Sequence, residues 1–278
     1  MPTVLIVGAT RGLGASLAKA YTSQPGYTVL ATARTSNPPA NSTFYPPLTH
    51  HLTIEITIRI AKSLFYIPNI DLSTPSAGPH ILDYLSTRSI TKLDIIIITA
   101  GYFATESLAS PSFDAQEKMY KTCAIGPTIL VTALANSPTL LSESSKIILV
   151  SSESGSIALR HESEGGGNYG HHASKAALNM CAKLLALDLK ERGVAVVSVH
   201  PGFMRTEMTR GVGFDKYWDV GGAVTPDVAA ESLREWIETF DIGMTGQYWA
   251  PRGAADIGTA EPVLGPKDKL PIPLQLPW

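Results

Sequence analysis

Val4-Leu5-Ile6-Val7-Gly8-Ala9-Thr10-Arg11-Gly12-Leu13-Gly14 is the stretch that decides the fold. A short apolar run meets three glycines in the spacing G-x-x-x-G-x-G, and residues 15–21 continue at helical spacing. A strand that turns directly into a helix leaves the helix's first N–H groups facing the turn. Glycine lets a phosphate approach those donors closely. Gly8, Thr10, Arg11, Gly12, Leu13 and Gly14 are therefore candidate contacts to a dinucleotide. An ordinary tight strand–helix turn could carry the same spacing; the second strand–helix unit that follows favours the nucleotide.

Outward from this loop, strand and helix signals alternate. Residues 27–33, 63–70, 93–99, 146–151, 194–199 and 246–250 read as strands. Residues 113–136, 173–190 and 229–239 read as helices, with Gly193 placed to cap the second in the left-handed region. Residues 93–99 and 146–151 are almost wholly apolar, as strands buried on both faces are. This order predicts an α/β fold, a Rossmann-type doubly wound parallel sheet in three α/β/α layers, with 1–278 forming one domain. Two stretches break the rhythm. Residues 43–62 read as an insertion in which 52–60 alternates like an extra strand, and the Pro-rich tail 253–278 is expected to wrap the surface.

Composition narrows the function. Of 278 residues, 44% are hydrophobic and 17% charged, enough apolar material for a sizeable core. A net charge of -2 offers no footprint for nucleic acid. No apolar run is long enough to span a bilayer, and no secretory signal is legible at Met1-Pro2-Thr3. Two cysteines, Cys123 and Cys181, cannot make a disulfide framework, so a cytoplasmic location is expected.

Charge also speaks to the cofactor. An acidic residue at the end of the second strand would bond a free ribose diol. Here Ala31-Thr32-Ala33 is followed by Arg34, and Arg11 sits inside the glycine loop. Two arginines can pair with a 2′-phosphate, which favours NADP(H), although two solvated surface arginines would look the same.

Several motifs together resemble the short-chain dehydrogenase/reductase family, in its carbonyl-reductase-like branch related to C-factor and sniffer proteins. They are Gly8 to Gly14, Asp71-Leu72, Thr99-Ala100-Gly101, Ser152 three residues before Gly155, Pro201-Gly202, Thr206, and the ending Leu276-Pro277-Trp278. The resemblance implies hydride transfer between a nicotinamide and a carbonyl or alcohol. It implies cofactor contacts at Asp71, Leu72, Ala100, Gly101, Lys175, Pro201, Gly202, Met204 and Thr206. It further implies Ser152 bonding the substrate oxygen, a mobile lid over 203–218, and pairing into a homodimer or homotetramer through the two long helices.

The centre of the chemistry departs from that family. Four residues before Lys175 stands His171 where the family has tyrosine, and Tyr169 lies six residues away, off the shared helical face. The asparagine of the long helix aligns with Cys123. The expected catalytic set is thus Cys123, Ser152, His171 and Lys175. A neutral imidazole can donate a hydrogen bond or act as a base, and Lys175 should disfavour its cation. Three functions remain open: an NADP(H)-dependent oxidoreductase acting on a hydrophobic small molecule; a non-redox isomerase, dehydratase or cyclase using His171 for proton transfer; and a non-catalytic dinucleotide-binding protein. The aromatic residues Phe214, Tyr217 and Trp218 in the lid suggest the hydrophobic substrate. His161 with Glu162 and Glu164 lacks metal-ligand spacing.

Overall fold

A computed structural model describes residues 1–36 and 64–278. The expectations placed on residues 43–62, including the strand over 52–60, lie outside the described residues. Among the described residues, eight strands form one sheet in the order β3-β2-β1-β4-β5-β6-β7-β8. They are β1 (Thr3–Val7), β2 (Thr28–Thr32), β3 (Leu64–Ile67), β4 (Ile95–Ile98), β5 (Lys146–Val150), β6 (Ala195–Val199), β7 (Tyr248–Ala250) and β8 (Leu274–Gln275). All pairs are parallel except β7 with β8.

The side-chain alternation of strands splits the core in two. Leu5, Val7, Ile96, Ile98, Ile147 and Leu149 face one layer, while Val4, Ile6, Ile95, Ile97, Ile148 and Val150 face the other. Ile81, Leu85, Leu130, Leu134, Leu178 and Leu185 cover the first face, from helices α2 (Ala77–Thr87), α4 (Gly126–Ala135) and α5 (Tyr169–Leu189). Leu13, Leu17, Ala229, Leu233 and Trp236 cover the second, from α1 (Gly12–Ser23) and α7 (Pro226–Thr239). A sheet buried on both faces needs the continuous apolar strands that the sequence supplies.

The strand order reverses direction between β1 and β4, which opens a crevice at their carboxyl ends. The two loops there are in close contact. The Thr99 hydroxyl donates to the Val7 carbonyl at 2.9 Å, and a Cβ on Gly8, whose φ is +90°, would lie 2.7 Å from the Ala100 nitrogen.

Several elements differ from the sequence reading. The expected helix 113–136 is α3 (Phe113–Tyr120) and α4 joined by a π-helical turn, Lys121–Ile125, that carries Cys123. Such turns mark an extra residue inserted into a helix. α5 starts at Tyr169 rather than 173, because a distant carboxylate caps it, as described below. The tail does more than wrap the surface: Ala254, Ile257, Ala260, Leu274 and Leu276 build a third small core with Leu159 and Tyr248. The tail also contributes the short helix α8 (Ala260–Leu264).

Candidate functional site

Every residue singled out in the sequence as catalytic or cofactor-binding lines one cavity of about 1280 Å³ at the crevice. The glycine cradle forms part of its lining. A Cβ on Gly14 would sit 2.3 Å from the Gly8 carbonyl oxygen, so the loop closes on itself only with glycine there. Arg11 is the N-cap of α1 and makes no side-chain cap, which leaves the first helical N–H groups without a side-chain acceptor from the cap residue. The Arg11 guanidinium meets Glu207 at 3.2 Å, both largely exposed, a weak pair that a phosphate can displace. Arg34 stands exposed just beyond β2. Burial tends to raise the Asp71 carboxyl, but Ser73 donates to it from both N–H and hydroxyl. With the Arg34 and Lys118 charges added, Asp71 is held below its ordinary value.

Ser152, His171, Lys175 and Cys123 line the same cavity. Ser152 follows β5 and is fixed at its backbone, where the Tyr248 hydroxyl donates to its carbonyl oxygen. Its own Oγ accepts from the Ser154 N–H at 3.3 Å. Lys175 is buried, with Nζ donating to the Val150 carbonyl at 2.8 Å. Burial pushes its ammonium below the usual lysine value, and Cys123 counters this only in part. The Cys123 thiol lies 3.5 Å from the Tyr102 backbone nitrogen and oxygen. Among the described residues no His, Cys, Asp and Glu group could hold a metal ion.

His171 occupies the first turns of α5 with its ring against Phe103, centroids 4.1 Å apart. Burial, the Lys175 charge and, less strongly, His172 and Arg160 lower its pKa from 6.5 to about 3. The imidazole is therefore neutral at physiological pH, as its neighbour Lys175 led one to expect. Its buried Nδ1 has no hydrogen-bond partner among the described residues. Tyr169 is 41% exposed at the helix entrance and does not take its place.

This burial couples stability to pH. The unfolded chain protonates His171 near pH 6.5 and the folded protein only near about 3. The unfolded state binds more protons across that window, so stability falls as pH drops from 6.5 towards 3, by up to about 1.4 kcal/mol per unit. Denaturant unfolding of wild type and His171→Phe at neutral and mildly acidic pH checks this. The wild type should lose more stability than the variant; an identical pH dependence would contradict the buried, neutral imidazole.

Glu106, which carries no motif, fixes this end of α5. It is 7% exposed and accepts the Gly170 N–H at 2.8 Å on Oε2. Its Oε1 takes the Ser112 N–H at 3.1 Å and the Gln116 amide at 2.9 Å. A carboxylate at a helix N-terminus satisfies orphan donors and suits the dipole. Glu106→Ala should cost about 1–3 kcal/mol by leaving these donors unpaired. Thermal unfolding measures that loss, and an unchanged midpoint would refute the cap.

Two walls shape the cavity beyond His171. Phe214 meets Phe103 edge-on at 5.5 Å and Tyr217 at 6.0 Å, so residues of the 203–218 segment continue an aromatic ladder from the imidazole. Facing into the same cavity is Arg160, bonded to Glu153 and, at 2.6 Å, to Glu164. Phe103, Glu106, Glu153 and Arg160 escaped sequence reasoning because no local spacing marks them; only the topology gathers them.

A family model described as short chain dehydrogenase matches residues 2–216. The chain is 29% identical over 257 residues to a short chain dehydrogenase of Penicillium aethiopicum, covering 88% of this chain and 95% of that protein. It is 31% identical over 242 residues to an uncharacterized oxidoreductase of Saccharomyces cerevisiae, covering 83% and 88%. Among solved structures, the NADPH-bound carbonyl reductase from chicken fatty liver superposes with a TM-score of 0.71 at 23% identity, covering 90% of this chain and 96% of the other.

Proposed function

The chain belongs to the short-chain dehydrogenase family, an oxidoreductase family, and on that premise we propose that it is an NADP(H)-dependent reductase of a carbonyl on a hydrophobic small molecule. One observation carries this reading: the glycine cradle with Arg11 and Arg34, and the group Ser152, His171 and Lys175, line one and the same cavity. The loop that closes on itself only with glycine at position 14 leads into the N-terminus of α1, whose cap residue supplies no side-chain acceptor, and this suits a pyrophosphate.

Bound there, the dinucleotide supplies the hydride. The protein's task is the oxygen, which becomes an alkoxide and needs hydrogen bonds and a proton. Ser152 donates its hydroxyl hydrogen to that oxygen. Lys175 spends one of three N–H donors on Val150, leaving two for a ribose diol. His171 gives up its ring proton to that oxygen and recovers one from solvent, the single proton that the reduction of a carbonyl by NADPH consumes. With a pKa of about 3 it is cationic in only about one molecule in 10⁴ at neutral pH, so the neutral ring does the work. The product is the alcohol, and the imidazole ends as it began, neutral.

The aromatic ladder of Phe103, Phe214 and Tyr217 suits an aromatic or otherwise apolar substrate. The neutral His171 also favours a second reading, a non-redox isomerisation in which the ring moves a proton between two positions of one substrate. NADPH consumption with a panel of aromatic and aliphatic carbonyls, followed by its near-ultraviolet absorbance, separates the two. Turnover supports the reductase; binding without consumption supports the second reading.

Cofactor choice has its own test. Arg34→Asp should lower the preference for NADPH over NADH by about 10-fold or more, the worth of a charge-assisted phosphate contact. An unchanged preference, measured as the ratio of kcat/KM, would refute the assignment of Arg34 to the 2′-phosphate.

A further inference from the structure

We infer that His200 and Asp256 form a buried clamp that holds the Ser152 loop and the Pro201-Gly202 turn at a fixed separation, making both of them positioning residues. The inference rests on the reductase reading for its kinetic consequence, though not for its geometry. His200 directly follows β6 and is 5% exposed; the Asp256 side chain, from the tail, is 2% exposed. Both line the cavity behind the residues that face the substrate.

The hydrogen bonds fix the roles. The Glu153 N–H donates to His200 Nδ1 at 3.1 Å, so that nitrogen is an acceptor and the ring proton of neutral His200 lies on Nε2. Nε2 faces Asp256 Oδ1 at 3.8 Å. The other carboxylate oxygen, Oδ2, accepts the Phe203 N–H. A line of contacts therefore runs from the peptide after Ser152, through one imidazole and one carboxylate, to the peptide after Gly202. At that separation the two atoms face each other without a direct hydrogen bond, and neither has a hydrogen-bond partner among the described residues. Burial tends to raise the Asp256 carboxyl, but the polar Nε2–H of His200 and the Phe203 N–H hold it below its ordinary value. Both ends are anchored: the His200 N–H donates to the Trp249 carbonyl at 2.8 Å, and Tyr248 holds the Ser152 carbonyl. Gly202, with φ +110°, leaves the room the clamp needs, since a Cβ there would sit 2.9 Å from Asp256 Oδ2.

Such a clamp matters because Ser152 must meet the substrate oxygen while the turn holds the nicotinamide. Misplacement by about 1 Å costs on the order of 10²-fold in rate. The clamp also depends on one tautomer. Asp256→Asn keeps size and one acceptor for Phe203, but turns an amide N–H₂ towards the Nε2–H of His200. Two donors then oppose each other. Moving the ring proton to Nδ1 would only shift the conflict to Glu153.

Nitrogen NMR of histidine-labelled protein reads the tautomer without any activity. In wild type, His200 should be protonated at Nε2 and bare at Nδ1; in Asp256→Asn this signature should be lost or mixed. Kinetics supply the second readout. Asp256→Asn and His200→Asn, the latter keeping an acceptor for Glu153, should each lower kcat by about 10- to 100-fold with little change in NADPH affinity. The double variant should be no worse than the more affected single, because the two act as one unit. Retention of the wild-type tautomer in Asp256→Asn would overturn the clamp, and so would kcat within about twofold in both single variants, or losses that multiply in the double. If wild type reduces no carbonyl, the reductase reading fails while the tautomer measurement still decides the clamp.

Discussion

Replacing His171 by alanine is expected to lower kcat/KM for carbonyl reduction by about 10²- to 10⁴-fold, the range for loss of a positioned proton donor, while NADPH affinity stays within about twofold. The imidazole stands on α5 one turn before Lys175, against Phe103, and on a different element from the glycine cradle. Its removal therefore takes away the proton without disturbing the phosphate contacts. The pH dependence separates this account from one using a histidine cation. With the pKa held near about 3, the wild-type rate should show no inflection around 6.5. His171→Tyr introduces a longer donor on the same helical face and should retain more activity than alanine. Steady-state kinetics on the three proteins, with cofactor binding measured separately, tests the set. Alanine activity within about threefold of wild type would remove His171 from the chemistry.

Gly14→Ala is expected to abolish NADPH binding and to destabilise the fold by about 1–3 kcal/mol or more. The new Cβ would lie 2.3 Å from the Gly8 carbonyl oxygen and 2.6 Å from Thr99 Oγ1. The first is backbone, fixed by the Gly8 N–H bond to Thr32 Oγ1 at 2.9 Å, and the second is tied to Val7. Neither can retreat without opening the crevice at the ends of β1 and β4. Gly211→Ala is the matched control, because a Cβ there meets nothing within 4 Å. Thermal unfolding with and without NADPH gives the answer. A Gly14→Ala protein stabilised by NADPH as strongly as wild type would show that the cradle does not hold the cofactor.

Much of the fold was legible because buried parallel strands advertise themselves. Ile95–Ile98 is four isoleucines and is buried throughout. The helix Ala77–Thr87 was not legible: Gly78 and Pro79 open it and resemble a loop, although proline costs nothing in a first turn. The true start of α5 was hidden because its cap comes from Glu106, 64 residues upstream of Gly170. β8 has two residues, Leu274 and Gln275, too few for any period to appear, and only its pairing with β7 defines it.

The site divides the same way. The glycine loop was a candidate because its spacing is local, whereas Ser152, His171 and Lys175 were candidates through the family resemblance, the last two as an i, i+4 pair on one helical face. Phe103, Glu106, His200 and Asp256 could not. Each is an unremarkable residue until the crossovers carry β4, β6 and the tail to one edge of the sheet. The depression of the His171 pKa was anticipated from Lys175. Burial is its larger cause, and burial is a property of the fold rather than of the neighbouring sequence.

The central claim is that this cavity delivers hydride to a carbonyl while the neutral His171 supplies the proton. The most direct test uses NADPH carrying deuterium at its transferable position, wild-type protein and a panel of apolar aromatic aldehydes and ketones. The account predicts deuterium on the carbinol carbon of a product alcohol, in amounts matching NADPH consumed, and its loss in His171→Ala that still binds NADPH. Tight NADPH binding with no deuterium transferred to any carbonyl would contradict it.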